Sequence, residues 1–286
     1  CKIDNEKFLM TTTTSNAALV LDWIEEWLQT EWPDLDVYCT SVTDHWSTII
    51  VTGPKSREVL VKLNSQQNFD NDNFPFMTYK EINISGILCR VFRISFTGEL
   101  SYEINVPWGY ALFLWNKILK AGAEYNITPY GTEAMHVLRA EKGYPIIGQD
   151  TDGTVTPLDL GMSWLVSKKK DFLGKRSLTR KYMQDNDRRQ FVGFQTINSK
   201  KVLPEGAQVL KTRVSKNKIN KAIDFPIKSD GHITSSYYSP ILERSIALGL
   251  LRNGLDRIDK NEVVSVVGEN GELIDALITG TTFYDY

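Results

Sequence analysis

The feature that most constrains this chain is a change of pattern near Arg188. Before it, apolar residues recur at helical spacing in several stretches, interleaved with stretches that alternate apolar and polar. After it, no helical period longer than about two turns persists, and short alternating runs are punctuated by Glu205-Gly206, Ser229-Asp230-Gly231 and Glu269-Asn270-Gly271. That pattern predicts an α+β region over residues 1–187 and a small β-barrel or sandwich over residues 188–286. The charged run Lys181 to Arg189 reads as the linker, and the 286 residues leave room for about two domains. Lys211 to Lys221, rich in lysine and asparagine, reads as an exposed hairpin tip.

In the first region, Phe8 to Thr13, Val37 to Val42, Ser47 to Thr52, Lys80 to Ile84, Leu88 to Ile94 and Tyr102 to Val106 read as strands. Ser85-Gly86 and Thr97-Gly98-Glu99 are the turns between the last three. Ser15 is placed to cap a helix whose apolar stripe runs through Leu19, Val20, Trp23, Ile24, Trp27 and Leu28, with Pro33 beyond it. Trp23, Trp27 and Trp32 read as core or subunit-contact residues. Ser56 is placed to cap a short helix through Val59, Leu60 and Leu63, Trp108 to Ala121 forms another, and Thr132 to Lys142 a third that Gly143 ends.

Composition removes several classes of function. The net charge is −2, and the one basic run, Lys168 to Lys170 with Lys175 and Arg176, reads as a solvated helix face rather than a nucleic-acid surface. Cys1, Cys39 and Cys89 are far apart, which suits neither a zinc site nor a disulfide framework and fits a reducing cytoplasm. No apolar run approaches the roughly 20 residues that cross a bilayer, so no membrane partner is expected. Neither a GxGxxG fingerprint after a strand nor a phosphate-binding P-loop is present, and three histidines, His45, His136 and His232, make a histidine metal site improbable. Cys1 to Met10 starts without a methionine and reads as part of something longer.

One stretch carries a positive signal. In RISFTGELSYEINVP, Arg93 to Pro107, an extended strand sends Tyr102, Ile104 and Val106 one way and Ser101, Glu103 and Asn105 the other. The first face is core. The second carries a carboxylate whose two oxygens match a planar pair of N–H donors, such as a guanidinium or an amino-oxopyrimidine edge. Phe96, across the glycine turn, could lie against the same flat ring. A solvated sheet face explains the same residues without a ligand.

Four segments, in order, resemble the folate-binding aminomethyltransferase (glycine cleavage T protein) superfamily. FPFMT, Phe74 to Thr78, resembles its PFM segment, and FTGELSYEI its YTGExGYEI segment. LRAEKG, Leu138 to Gly143, resembles LRLEAG, and GHITSSYYSP, Gly231 to Pro240, resembles a turn of the C-terminal barrel. Within the superfamily, YGTEAMHVLRAEKGYPIIGQDTDGTVTP and KKKDFLGKRSL look most like the C-terminal part of α subunits of heterotetrameric sarcosine oxidases. The resemblance implies a T-protein-like fold followed by a barrel, tetrahydrofolate as the bound cofactor, and a small methylated amine as substrate. It implies other oxidase subunits as partners, with flavin and NAD held outside this chain. The one-carbon unit removed from sarcosine would be captured as 5,10-methylenetetrahydrofolate.

Motif by motif, the resemblance assigns Glu103 to the pterin edge, Phe96, Phe76 and Met77 to the ring, and Tyr144 and Trp164 to further wall positions. Glu99 reads as closing its turn. The family's RDxLR run is MHVLR here, with Met135 where an arginine for the folate tail would stand, while Arg139 keeps the second arginine. The family aspartate near the reactive nitrogen would precede Cys1, so no catalytic residue is assigned. KGYPIIGQD, Lys142 to Asp150, also resembles the KGCYxGQE segment of folate-binding maintenance proteins, without its cysteine. A stand-alone tetrahydrofolate-dependent transferase or demethylase and a non-catalytic folate-binding module remain the alternatives.

Overall fold

The computed structural model describes residues 1–185, 187–214 and 227–286. The chain forms two compact units, Cys1–Pro129 and Tyr130–Tyr286.

The first unit is built on an antiparallel sheet of β1 (Trp46–Thr52), β2 (Tyr79–Ile84), β3 (Ile87–Phe92) and β4 (Ser101–Pro107), in the order β1-β4-β3-β2. The hairpin between β2 and β3 turns at Ser85 and Gly86, both with positive φ, as a two-residue hairpin turn requires. Helices α2 (Ser56–Leu63) and α3 (Ala111–Gly122) contribute Val59, Leu60, Leu114 and Ile118 to a core with Val51, Phe74, Val91, Tyr102, Ile104 and Val106. The two-residue period read in SYEINVP is therefore the burial pattern of β4: its even-numbered residues are core.

Several local expectations differ. Phe8 to Thr13 forms no strand, only an isolated bridge from Phe8 to Lys2. Val37 to Val42 is exposed or half-buried coil. Both stretches have strand-forming side chains, but among the described residues neither has a strand to pair with, and a lone strand leaves its backbone groups unpaired. Helix α1 (Ala17–Thr30) follows a short 3-10 turn, so Ser15 lies inside that turn, and Asn16 stands at the cap position without a side-chain bond. None of α1's residues is buried, and Trp23 and Trp32 are exposed, so the tryptophans do not belong to the core of this unit.

The second unit centres on a closed six-stranded antiparallel barrel, ordered β10-β5-β8-β7-β6-β9. Its strands are β5 (Arg189–Thr196), β6 (Gln208–Leu210), β7 (Ser229–Ser239), β8 (Arg244–Arg252), β9 (Val263–Val267) and β10 (Leu273–Thr279). Val192, Phe194, Val209, Ile233, Leu251, Val264, Val266, Ala276 and Ile278 fill it, and closure removes exposed sheet edges. Ser229-Asp230-Gly231 opens β7 rather than forming a free turn, and GHITSSYYSP runs along β7 with a bulge between Ile233 and Ser235. Helix α4 (Thr132–Lys142) packs against β7 and β8. It ends at Gly143 with φ 81°, where an added Cβ would meet the Thr281 carbonyl oxygen at 2.4 Å, so only glycine fits.

The basic run at Lys168 to Arg176 is mostly exposed, but it is bends and a single turn, α5 (Lys175–Leu178), not a helix face. The stretch read as a linker holds a short 3-10 helix at Lys181–Gln184 and the buried Arg188. Residue 186 of the expected linker and residues 215–221 of the expected hairpin tip, with residues 222–226 after it, lie outside the described residues. No helix among the described residues is long and apolar enough to cross a membrane. Among the same residues no group of three or more histidine, cysteine or acidic side chains is placed to hold a metal.

Candidate functional site

Glu103 sits on β4 opposite Ile50 of β1 and Phe92 of β3, and its side chain is half-buried. Asn105, two residues on and therefore on the same sheet face, donates its Nδ2 hydrogen to Glu103 Oε1 at 3.0 Å. Thr48 Oγ donates in turn to Asn105 Oδ1 at 3.0 Å, which fixes the amide's orientation. Among the described residues nothing donates to Oε2, and no cation pairs with the carboxylate. A carboxylate held on one oxygen between two apolar neighbours is oriented and still has acceptor capacity.

The first unit also exposes apolar side chains at the other positions that its motifs single out. Phe96 is 36% exposed at the turn where Gly98 N–H donates to Ser95 Oγ at 2.9 Å. Buried Thr97 anchors that turn through a 3.1 Å hydroxyl contact with Thr52. Phe76 is 55% and Met77 70% exposed, and Met77 adopts φ 64°, a left-handed conformation uncommon for a residue with its side chain. Glu99 is half-buried; burial raises its pKa, and the bond from the Leu100 N–H only partly offsets this.

In the second unit Tyr144 is half-buried just beyond α4, and Trp164 is 77% exposed in a 3-10 turn at Ser163–Leu165. His136 is half-buried on α4, and His45 is exposed. Glu103 does not line the hollow of about 390 Å³ in this unit, whose walls include Asp152, Tyr182, Arg188, His232 and Arg252. Burial, and then the charge of Arg189, lower the pKa of His232 there.

The two motif segments LRAEKG and GHITSSYYSP meet in a buried network that the sequence reading did not foresee. Arg139 is fully buried and donates from Nη1 to Asp150 Oδ2 at 2.5 Å and to the Tyr144 carbonyl at 3.1 Å. Its Nη2 donates to Ser235 Oγ at 2.7 Å. Asp150, also fully buried, accepts further bonds from the Ile146 N–H at 2.8 Å, from Ser235 Oγ at 2.7 Å and from Thr234 Oγ. Both terminal nitrogens of Arg139 are thus committed to bonds within its own unit. A second buried carboxylate, Asp159, takes a forked pair of bonds from Arg188 at 2.8 and 2.6 Å and two from Thr156. Burial alone would raise its pKa; these donors outweigh burial and hold it below the usual carboxylate range. Glu141, likewise buried, accepts from Ser239 Oγ at 2.6 Å and from the Tyr286 hydroxyl. The usable signal was chemical: a buried arginine demands an acid, and GQD lies close by in the chain.

A four-stranded antiparallel sheet with covering helices, followed by a closed six-stranded barrel, defines an α+β class of two-unit chains. The profile of the GCVT N-terminal domain matches residues 1–170, and that of the glycine cleavage T-protein C-terminal barrel domain matches residues 189–285. The chain belongs to the glycine cleavage T-protein family. It is 48% identical over 285 residues to the sarcosine oxidase subunit alpha of Corynebacterium sp. (strain P-1), covering 99% of this chain and 28% of that one. It is 37% identical to the Rhizobium meliloti subunit, again over 99% of this chain and 28% of that relative. The aminomethyltransferase of Thermoanaerobacter pseudethanolicus is 30% identical over 99% of this chain and 70% of its own length. The chain thus spans under a third of the length of the sarcosine oxidase relatives it matches. The structure of glycine cleavage system aminomethyltransferase T from Bartonella henselae superposes with a TM-score of 0.74 at 20% identity, covering 94% of this chain and 66% of that one, which establishes a shared fold.

Proposed function

We propose that this chain is the tetrahydrofolate-binding part of a sarcosine-oxidase-type α subunit. In this reading Glu103 pairs with the amino-pyrimidine edge of the pterin, and Phe96, Phe76 and Met77 lie against its ring. The observation that carries the reading is the half-buried Glu103 carboxylate, oriented by Asn105 and left without a cation among the described residues.

The chemistry asked of such a site is capture. Oxidation of a methylated amine, sarcosine in this reading, leaves an electrophilic iminium that water would hydrolyse to formaldehyde. Glu103, Phe96, Phe76 and Met77 would hold tetrahydrofolate, which would supply the two nitrogens that take the methylene carbon as 5,10-methylenetetrahydrofolate, their protons leaving with the released amine. The flavin and NAD required for the oxidation belong to other subunits or other parts of the protein. Similarity over 99% of the chain to sarcosine oxidase α subunits supports this reading.

A second reading, an aminomethyltransferase acting on its own, is favoured by the 70% of the Thermoanaerobacter relative that the chain matches. One experiment separates the two. The chain is purified with whatever subunits accompany it, its visible spectrum is recorded, and turnover of sarcosine with tetrahydrofolate is measured. A flavin spectrum with folate-dependent turnover supports the oxidase reading. Folate-dependent transfer by the isolated chain without flavin supports the transferase. Failure of tetrahydrofolate to bind in any mixture overturns both.

A further inference from the structure

The segment that presents Phe76 and Met77 is held by a device centred on Arg93. The backbone N–H of Met77 donates to the Arg93 carbonyl at 2.9 Å, and the Arg93 N–H donates to the Thr78 carbonyl at 2.9 Å. Two residues therefore face one across the continuation of the β2–β3 ladder, which is a β-bulge. The first bulge residue takes the left-handed conformation that such bulges usually give to glycine, yet here it is Met77, at φ 64°. Bulges re-aim side chains, and a strained residue persists only where its surroundings over-determine it.

The Arg93 side chain supplies that over-determination. Its Nη1 donates to the Phe74 carbonyl at 2.6 Å, while the Phe74 ring is fully buried against Phe69 and Tyr102. Thr78 Oγ donates to the Pro75 carbonyl at 2.6 Å and closes the segment from the other side. Resting on the folate reading above, we infer that Arg93 is a positioning residue for the ring-binding surface. It locks the bulge so that Phe76 and Met77 project outward on one side, while the same stretch of chain runs on through Ser95 to Phe96. In this role Arg93 acts through the Phe74 carbonyl and Met77.

The test uses the full chain labelled with ¹³C-methyl methionine, whose five methionines allow assignment. Arg93→Met removes the donor and keeps the apolar stem; Arg93→Lys is the companion should the first variant not fold. Tetrahydrofolate is titrated by calorimetry, and the Met77 methyl resonance is followed in the same samples. The expected result is an affinity about tenfold weaker, the worth of one charged hydrogen bond. With it, the ring-current shift of the Met77 methyl on binding should shrink or split. A purely structural arginine would lower the melting temperature and leave the folded variant's affinity and methyl shift as in the parent, and that result overturns the inference. If Glu103→Gln loses affinity while both Arg93 variants do not, the folate reading stands and the role of Arg93 falls. If the parent chain does not bind tetrahydrofolate, both fall.

Discussion

Glu103 of the first unit and Asp150 of the second are acids in segments that the family motifs single out, and their surroundings differ sharply. Asp150 accepts four bonds on two oxygens, one of them from a fully buried arginine, and water cannot reach it. Glu103 accepts one, from a neutral amide, and remains half-buried. An acid whose lone pairs are all met by its own chain has no capacity left for a ligand; an oriented acid with an open oxygen does. The comparison assigns Asp150 and Arg139 to the barrel unit's cohesion and leaves Glu103, among the described residues, as the acid with an open oxygen, which is what the folate proposal requires. Asp159 with Arg188 repeats the Asp150 arrangement.

Three substitutions strain this contrast, from the largest effect to the smallest. Asp150→Ala strands the buried guanidinium of Arg139, and removal of one partner from such a pair costs about 3–5 kcal/mol. Chemical denaturation of the second unit should show that loss; a near-neutral result would mean that the network is dispensable. Glu103→Gln keeps the shape and the amide contact, so the first unit's stability should move by less than about 0.5 kcal/mol in the same assay. A loss of several kcal/mol would make Glu103 structural, like Asp150.

The smallest effect is the pH response of His232. Its folded pKa lies below the free value of 6.5, because burial and then Arg189 disfavour the imidazolium. As pH falls through that value the unfolded chain takes up the proton first, so the second unit loses stability, and the loss levels off once the folded imidazole is protonated too. His232→Gln should flatten the slope of melting temperature between pH 7 and pH 5. An unchanged slope would place the titrating group elsewhere.

Much of this was legible in the sequence where a signal is local. The alternation in SYEINVP, the Ser85-Gly86 turn and the glycine stop after Lys142 each depend on a few neighbouring residues, and β4, the β2–β3 hairpin and α4 follow them. Phe8 to Thr13 and Val37 to Val42 have equally favourable residues, but a strand exists only where another strand receives its hydrogen bonds, and pairing is not written locally. The same limit hid the role of Arg139. Its acid lies 11 residues away and its serine 96, a distance that only the fold closes. Likewise RISFTGE showed an arginine, but not that it would clamp a carbonyl 19 residues earlier. The sequence pattern changes at Arg188, whereas the compact units divide at Pro129, because α4 packs with the barrel strands β7 and β8.

The most direct test is calorimetric titration of tetrahydrofolate into the parent chain and into Glu103→Gln. A parent that binds and a variant weaker by about 1–3 kcal/mol, the cost of a lost charged partner, is the predicted pair of results. Equal affinities would show that this acid meets no ligand, and the distinction drawn between Glu103 and Asp150 would carry no functional meaning.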